Sequence, residues 1–333
     1  MKAKSMSNLL ALLTTATLSL GTAHADDLVI STTSQTSDDY ALAVAWSNQL
    51  IDSNSEHELT VVDNGSVSGL RQLASGRLDI AVIGAPHYLD AVNKRGNFSK
   101  DPDRLTEAYQ DLRSLFAIST SAGQYVVRED SGIKNFADLE GHSIAIGRPG
   151  GNAGRVTSAF LEAYGFTPGE DVDTQYIDYR AAFNQMTNGR LDGTFVWGGL
   201  PQAAVDSASR MMDLRFISPS EDKMDEFRDN ITAGEHYRLK SVSSEEIESA
   251  YQGRVEAEGE TNFWTFPYMF VVNKAMNDDT AYDLTKALWS HLDSIKQTSA
   301  ALNLLRRDEA ATGLTAELHP GAERYFREIG LIE

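Results

Sequence analysis

A helical pattern that stops on glycine and drops into a short apolar strand is written twice in this chain. "GLRQLASGRLDIAVIG" covers 69–84 and "RAAFNQMTNGRLDGTFVWGG" covers 180–199, so Gly-Arg-Leu-Asp recurs 113 positions apart. In the first copy Val67, Leu70, Leu73 and Ala74 recur at spacings of three and four, as one face of a helix requires. Gly76 and Gly189 then stand where a left-handed residue ends a helix. A helix feeding a strand through a tight turn is the building unit of an α/β sheet. Between the copies lies a further set: "YVVRED", "HSIAIG", the loop "RPGGNAG" and the helix pattern "RVTSAFLEAYG". The pattern predicts one sheet with its helices followed by a second, and 333 residues suffice for two cores. In open α/β sheets ligands sit beyond the carboxyl ends of the strands, here "GAPH" at 84–87 and "WGGLP" at 197–201.

Residues 1–25 stand apart. Lys2 and Lys4 precede a 12-residue apolar run, Leu9 to Leu20, and "AHA" ends at Ala25. This is the layout of a cleaved secretory signal peptide, and the run falls short of the roughly 20 residues a spanning helix needs. The expected location is therefore periplasmic. Without the leader, 27 basic residues face 48 acidic ones, a formal charge of −21. Such a field repels phosphate, so nucleic acid and anionic lipid are poor partners. With no cysteine, disulfides, thiolate metal sites and cysteine nucleophiles are all excluded.

Elsewhere a strand is expected from Leu28. A helix should follow Ser37 as N-cap, with Asp38 and Asp39 in its first turn and Tyr40, Val44, Leu50 and Ile51 as its apolar positions. The charge-dense stretch 218–259 reads as a solvated face or a long surface excursion, and its acids show no metal-ligand spacing. "FPYMFVVN" resumes apolar structure, and Leu284, Leu288 and Leu292 share one side of a later helix.

Catalytic motifs fail one by one. "GSVSG" has valine where a nucleophile elbow needs serine, and no histidine pair has the spacing of H-E-x-x-H. "GRPGGNAG" lacks the Gly-Lys-Ser/Thr of a phosphate loop and is not G-x-G-x-x-G. It is either a plain strand-to-helix turn or a cradle in which N–H groups near Gly151 and Asn152, with Arg155, hold a carboxylate. Trp197 is either a core residue at a strand end or a pocket wall. No cofactor, metal or enzymatic activity is expected.

The segments "GSVSGLRQLASGRLDIAVIG", "DSGIKNFADLEGHSIAIGRPGGNAGRVTSAFLEAYGF", "GRLDGTFVWGGLPQAAV" and "LHPGAERYFREIG" together resemble the TAXI group of extracytoplasmic solute-binding proteins, which serve TRAP transporters. The resemblance spans nearly the whole chain after the leader. It implies an α/β, type II-like periplasmic binding protein fold of two lobes with a hinged cleft. Lobe 1 would comprise 26–125 and 255–333, and lobe 2 would comprise 126–254. It further implies capture of a small carboxylate solute, glutamate or a related amino or dicarboxylic acid, and delivery to TRAP permease subunits by a monomer. A receptor feeding a membrane sensor kinase is the alternative. By position in the family pattern, Thr33, Ser34, Tyr40, Ser66 and His87 are the expected site residues of one lobe. Those of the other are Asn152, Arg155, Trp197, Gly198 and Gly199. Arg155 as the bidentate carboxylate partner is our own reading of the residues. The family's first loop usually ends Thr-Tyr-Tyr where this chain has "STTSQTSDDY", and Gly84, Ala85 and Pro86 replace a glutamine and an aspartate usual after the first repeated strand.

Overall fold

The computed structural model describes residues 26–302 and 305–333, so the expected leader lies outside the described residues. The chain opens with β1 (Asp26–Ser31), α1 (Asp38–Asp52), β2 (His57–Val62), α2 (Ser66–Ala74), β3 (Ile80–Gly84), α3 (Ala85–Val92), α4 (Asp103–Tyr109) and β4 (Leu112–Ile118). It then crosses into β5 (Ala122–Arg128), β6 (Ser143–Ala145), α5 (Asn152–Ala163), β7 (Asp173–Gln175), α6 (Tyr179–Thr187) and β8 (Gly193–Gly198). The second unit continues through α7 (Ala203–Ala208), β9 (Leu214–Ile217), α8 (Met224–Asn230), β10 (Arg238–Val242), α9 (Ser244–Tyr251), β11 (Val255–Glu256) and β12 (Thr261–Thr265). A second crossing returns to β13 (Tyr268–Asn273), α10 (Asp278–Ser290), α11 (Leu292–Thr298) and α12 (Pro320–Glu328).

Two sheets result. The first has the order β2-β1-β3-β13-β4, with β13 antiparallel to both neighbours. The second runs β10-β12-β5-β8-β6-β7, with β9 on β5 and β11 on β9. The fold is therefore α/β with two lobes, joined at 119–121 and 266–267. The expected lobe boundaries differ from these crossings. Residues 125 and 126 are neighbours within β5, and β11, which opens at 255, pairs with β9 of the second sheet. Both expected boundaries thus fall inside the second lobe, because apolar patterning alone does not tell which sheet a strand joins.

The doubled phrase performs the same local work in each lobe. Gly76 has φ +71° and Gly189 has φ +67°, and each donates its N–H to the residue three positions back. Leu78 and Leu191 are buried. The aspartates then reach sideways: Asp79 accepts the Val29 N–H at 2.8 Å, and Asp192 accepts that of Ser143 at 2.9 Å. Each carboxylate thus caps the neighbouring parallel strand, which fixes the register of β1 beside β3 and of β6 beside β8.

Two local expectations are corrected. In α1 the core face consists of Leu42, Ala43, Ala45, Trp46 and Leu50, whereas Ile51 is exposed and Tyr40 half-buried. Trp46 sets that face, packing edge-on to Phe116 with ring centroids 5.5 Å apart and donating its indole N–H to Leu284 O. The stretch 218–259 is no excursion, because it forms α8, β10, α9 and β11 and buries Phe227, Tyr237 and Tyr251.

Candidate functional site

The carboxyl ends of β1, β2, β3, β6 and β8 converge on one cleft of about 980 Å³, with the second crossing as its floor. The first lobe supplies the loop 33–36, the turn before α2 and His87. The second supplies the glycine-rich loop before α5, the N-terminus of α6 and Trp197.

Two buried carboxylates organise the first-lobe wall. Asp39 accepts both the backbone N–H of Thr33, at 2.7 Å, and its hydroxyl, at 2.6 Å, which pins the loop to the start of α1. Burial, then the charge of Asp38, pushes the Asp39 carboxyl up to about 6. Asp38 accepts the hydroxyls of Thr120 and Ser121, so the same helix start grips the first crossing. Its carboxyl is also raised by burial, against the pull of those hydroxyls. The Ser37 hydroxyl makes no cap bond and donates to Ser34 O instead.

Stacked aromatic rings form the floor. Trp197 lies 4.8 Å from Phe266 at 20°, and Phe266 lies 5.5 Å from Tyr268 at 21°. Burial holds the proton of the Tyr268 hydroxyl well above the usual phenol range. The buried nitrogens of this wall that have no protein partner include Trp197 Nε1, Asn152 Nδ2 and His87 Nδ1. Trp197 is 5% exposed, Asn152 8% and His87 1%, so each nitrogen needs a partner from whatever fills the cleft.

The lobes also touch each other directly. Arg155 Nη2 stands 2.5 Å from Asp90 Oδ2 of α3, and Arg155 Nη1 donates to Thr232 Oγ1 at 2.8 Å. Asn97 donates to Gly151 O at 3.1 Å and Asn152 Oδ1 at 3.0 Å, and Gln202 donates to Thr36 O at 3.0 Å. Arg148 faces Asp63 at 3.7 Å.

Of the expected residues, Thr33, Ser34, Ser66, His87, Asn152 and Trp197 line this one cleft. The other four do not. Arg155 sits one turn into α5, where its guanidinium reaches α3 and not the loop before the helix, so Asp90 takes the place assigned to a solute carboxylate. Tyr40 lies on α1 away from the lining. Gly198 and Gly199 offer their carbonyls to Gln124 Nε2 at 3.1 and 3.0 Å, behind the wall. Arg148 and Arg180 also line the cleft and Gln202 bridges the lobes, and of these three only Arg148 lies in a segment whose sequence singles it out, the glycine-rich loop. No cluster of three or more metal-ligating side chains occurs among the described residues.

A family model described as the NMT1-like family matches residues 30–330. The chain belongs to the NMT1-like family. That NMT1-like match begins inside β1 and ends beyond α12, so it takes in both lobes and the cleft. Among solved structures, a protein of Bordetella bronchiseptica RB50 is similar at 16% identity and TM-score 0.49, over 92% of this chain and 89% of that one. The periplasmic aliphatic sulphonate binding protein of Escherichia coli is similar at 15% identity and TM-score 0.46, over 90% and 78%. A TRAP periplasmic solute binding protein of Pseudomonas aeruginosa PAO1 with bound L-malate is similar at 11% identity and TM-score 0.46, over 83% and 86%.

Proposed function

We propose that this NMT1-like protein is an extracytoplasmic solute-binding protein of the TAXI type. It captures a small carboxylate-bearing solute, glutamate or a related amino or dicarboxylic acid, and delivers it to a TRAP permease. The leader at 1–25 directs it to the periplasm, where it works as a monomer and binds without chemistry. The observation that carries this reading is a cleft walled by both lobes in which the buried N–H donors Trp197 Nε1 and Asn152 Nδ2 have no protein partner. Such donors favour an acceptor-rich solute, since leaving them unpaired costs about 1–3 kcal/mol each. Arg148 and Arg180 stand exposed at the second-lobe rim, beside Asp63 and Asp178 of the same lining, and supply cationic groups at the mouth of an acidic protein. Because the solute touches both lobes, its differential affinity for the closed form drives closure.

The test is a thermal-shift screen of amino acids, dicarboxylates and keto acids, followed by calorimetry. A hit with Kd near 1 μM, worth about −8 kcal/mol, is the expected result. Binding confined to uncharged or cationic solutes would refute the carboxylate assignment.

A further inference from the structure

Asn152 opens α5 in the cleft wall, and its amide has two ends of opposite chemistry, an oxygen that accepts and an NH2 that donates. Which end a solute meets is decided outside the cleft lining. Asn97 stands half-buried in the 3-10 turn Gly96–Phe98 between α3 and α4, on the first lobe. Its side-chain nitrogen donates to Gly151 O at 3.1 Å and to Asn152 Oδ1 at 3.0 Å. The first bond gives the second its direction. A peptide carbonyl only accepts, so the end of Asn97 that faces Gly151 O is its NH2, and the Asn152 atom that meets the same NH2 is the oxygen. Asn152 Nδ2 is thereby left over, buried and with no protein partner. Trp197 Nε1, in the same state, is an indole N–H that can only donate.

Asn97 is itself held from both sides. Its carbonyl accepts from Arg71 Nη2 at 2.6 Å, while Arg71 Nε lies 3.0 and 3.1 Å from the two oxygens of Asp101. Toward the other lobe, Gly96 lets the turn close on α5, since a β-carbon there would fall 2.2 Å from Arg155 Nη1.

We propose that Asn97 is a positioning residue that makes the second-lobe wall a donor subsite: it takes up the Asn152 oxygen across the lobe interface and leaves the Asn152 N–H groups, with that of Trp197, for the oxygens of a carboxylate. Asn97 and Asn152 lie on different lobes, so the amide is oriented as the cleft closes. A solute that brings an NH2 to the same place meets donors with its own donors and is rejected. The use of these donors by a solute rests on the solute-binding reading above; the orientation of the amide does not.

Neutron diffraction of the deuterated mature chain, which locates the amide deuterons, tests the orientation without any solute. The Asn97 deuterons should point at Gly151 O and Asn152 Oδ1; an Asn152 ND2 turned toward Asn97 overturns the inference. Selectivity is read by calorimetry with succinate and its neutral diamide, succinamide, which differ at both ends. In Asn97→Asp the new carboxylate can only accept, so it draws the Asn152 NH2 to itself and leaves Oδ1 to the cleft. Succinate Kd should rise about tenfold while that of succinamide stays level or falls. Ser99→Asp puts the same charge on the same exposed turn and should move either Kd by no more than about twofold. Equal weakening of both probes by Asn97→Asp would mean that Asn97 acts on closure alone, and an equal loss of succinate affinity in Ser99→Asp would reduce the effect to charge; either overturns the proposal. If wild type binds neither probe, the carboxylate reading fails while the deuteron positions still decide whether Asn97 orients Asn152.

Discussion

Asp90 of α3 and Arg155 of α5 belong to different lobes, yet their charged groups meet at 2.5 Å with Asp90 only 1% exposed. A pair so placed joins the lobes and leaves neither charge for a solute. Asp90→Asn should therefore lower stability by about 3 kcal/mol, since it strands a largely buried guanidinium. It should also weaken charged and neutral probes by the same factor, because it acts on closure. Parallel urea titrations and calorimetry check this; a loss confined to acidic probes would place Arg155 back in the site.

Arg148 and Arg180 at the rim act at longer range. Removing both, as Arg148→Ala with Arg180→Ala, should slow association of an anionic solute about tenfold at low salt and flatten its salt dependence. Dissociation should change little. Stopped-flow tryptophan fluorescence, with Trp197 as the reporter in the cleft wall, separates the two rates.

The buried Asp39 gives the fold a definite pH dependence. Its carboxyl titrates at about 6 when folded, against an ordinary 3.8, so the folded state binds the proton more tightly. This contribution is fully present below about pH 4 and is lost as pH rises through about 6, a change of about 3 kcal/mol across the window. Asp38 acts in the same sense. Urea unfolding between pH 4 and 8 should show a flatter profile for Asp39→Asn than for wild type.

Two glycines should fail for different reasons. Gly76 has φ +71° with open space around it, so Gly76→Ala should cost about 1 kcal/mol and Gly76→Asn less. Gly123 pairs with Trp264 across β5 and β12, and a β-carbon there would fall 2.0 Å from the indole ring. Gly123→Ala should therefore cost about 2 kcal/mol through overpacking, with no relief from asparagine. Chemical denaturation of the four proteins distinguishes strain from crowding.

The two sheets were legible because glycine, leucine and aspartate do the same jobs at 76–79 and 189–192, and those jobs are local. Cleft residues at strand ends, such as His87 and Trp197, could be read by the same logic. What the sequence could not supply was direction. Whether Arg155 turns toward a loop or toward α3 depends on where Asp90 sits, 65 residues earlier. Tyr237 was lost inside a charge-dense stretch whose polarity describes its outer face and says nothing of its buried ring. Asp38 and Asp39 looked like ordinary dipole partners for α1; only the arrival of Thr120 and Ser121 turns one of them into a fastening for the crossing.

Gly199 draws its importance from a neighbour outside its own sheet. A β-carbon there would come within 2.8 Å of the Ala301 carbonyl, from the segment that follows α11. The two halves of the molecule therefore rest on each other with no clearance at this spot, and any side chain at 199 becomes a shim. Substituting larger residues in turn would prop the jaws apart by graded amounts, making this one position a dial for resting gape that never touches the cargo.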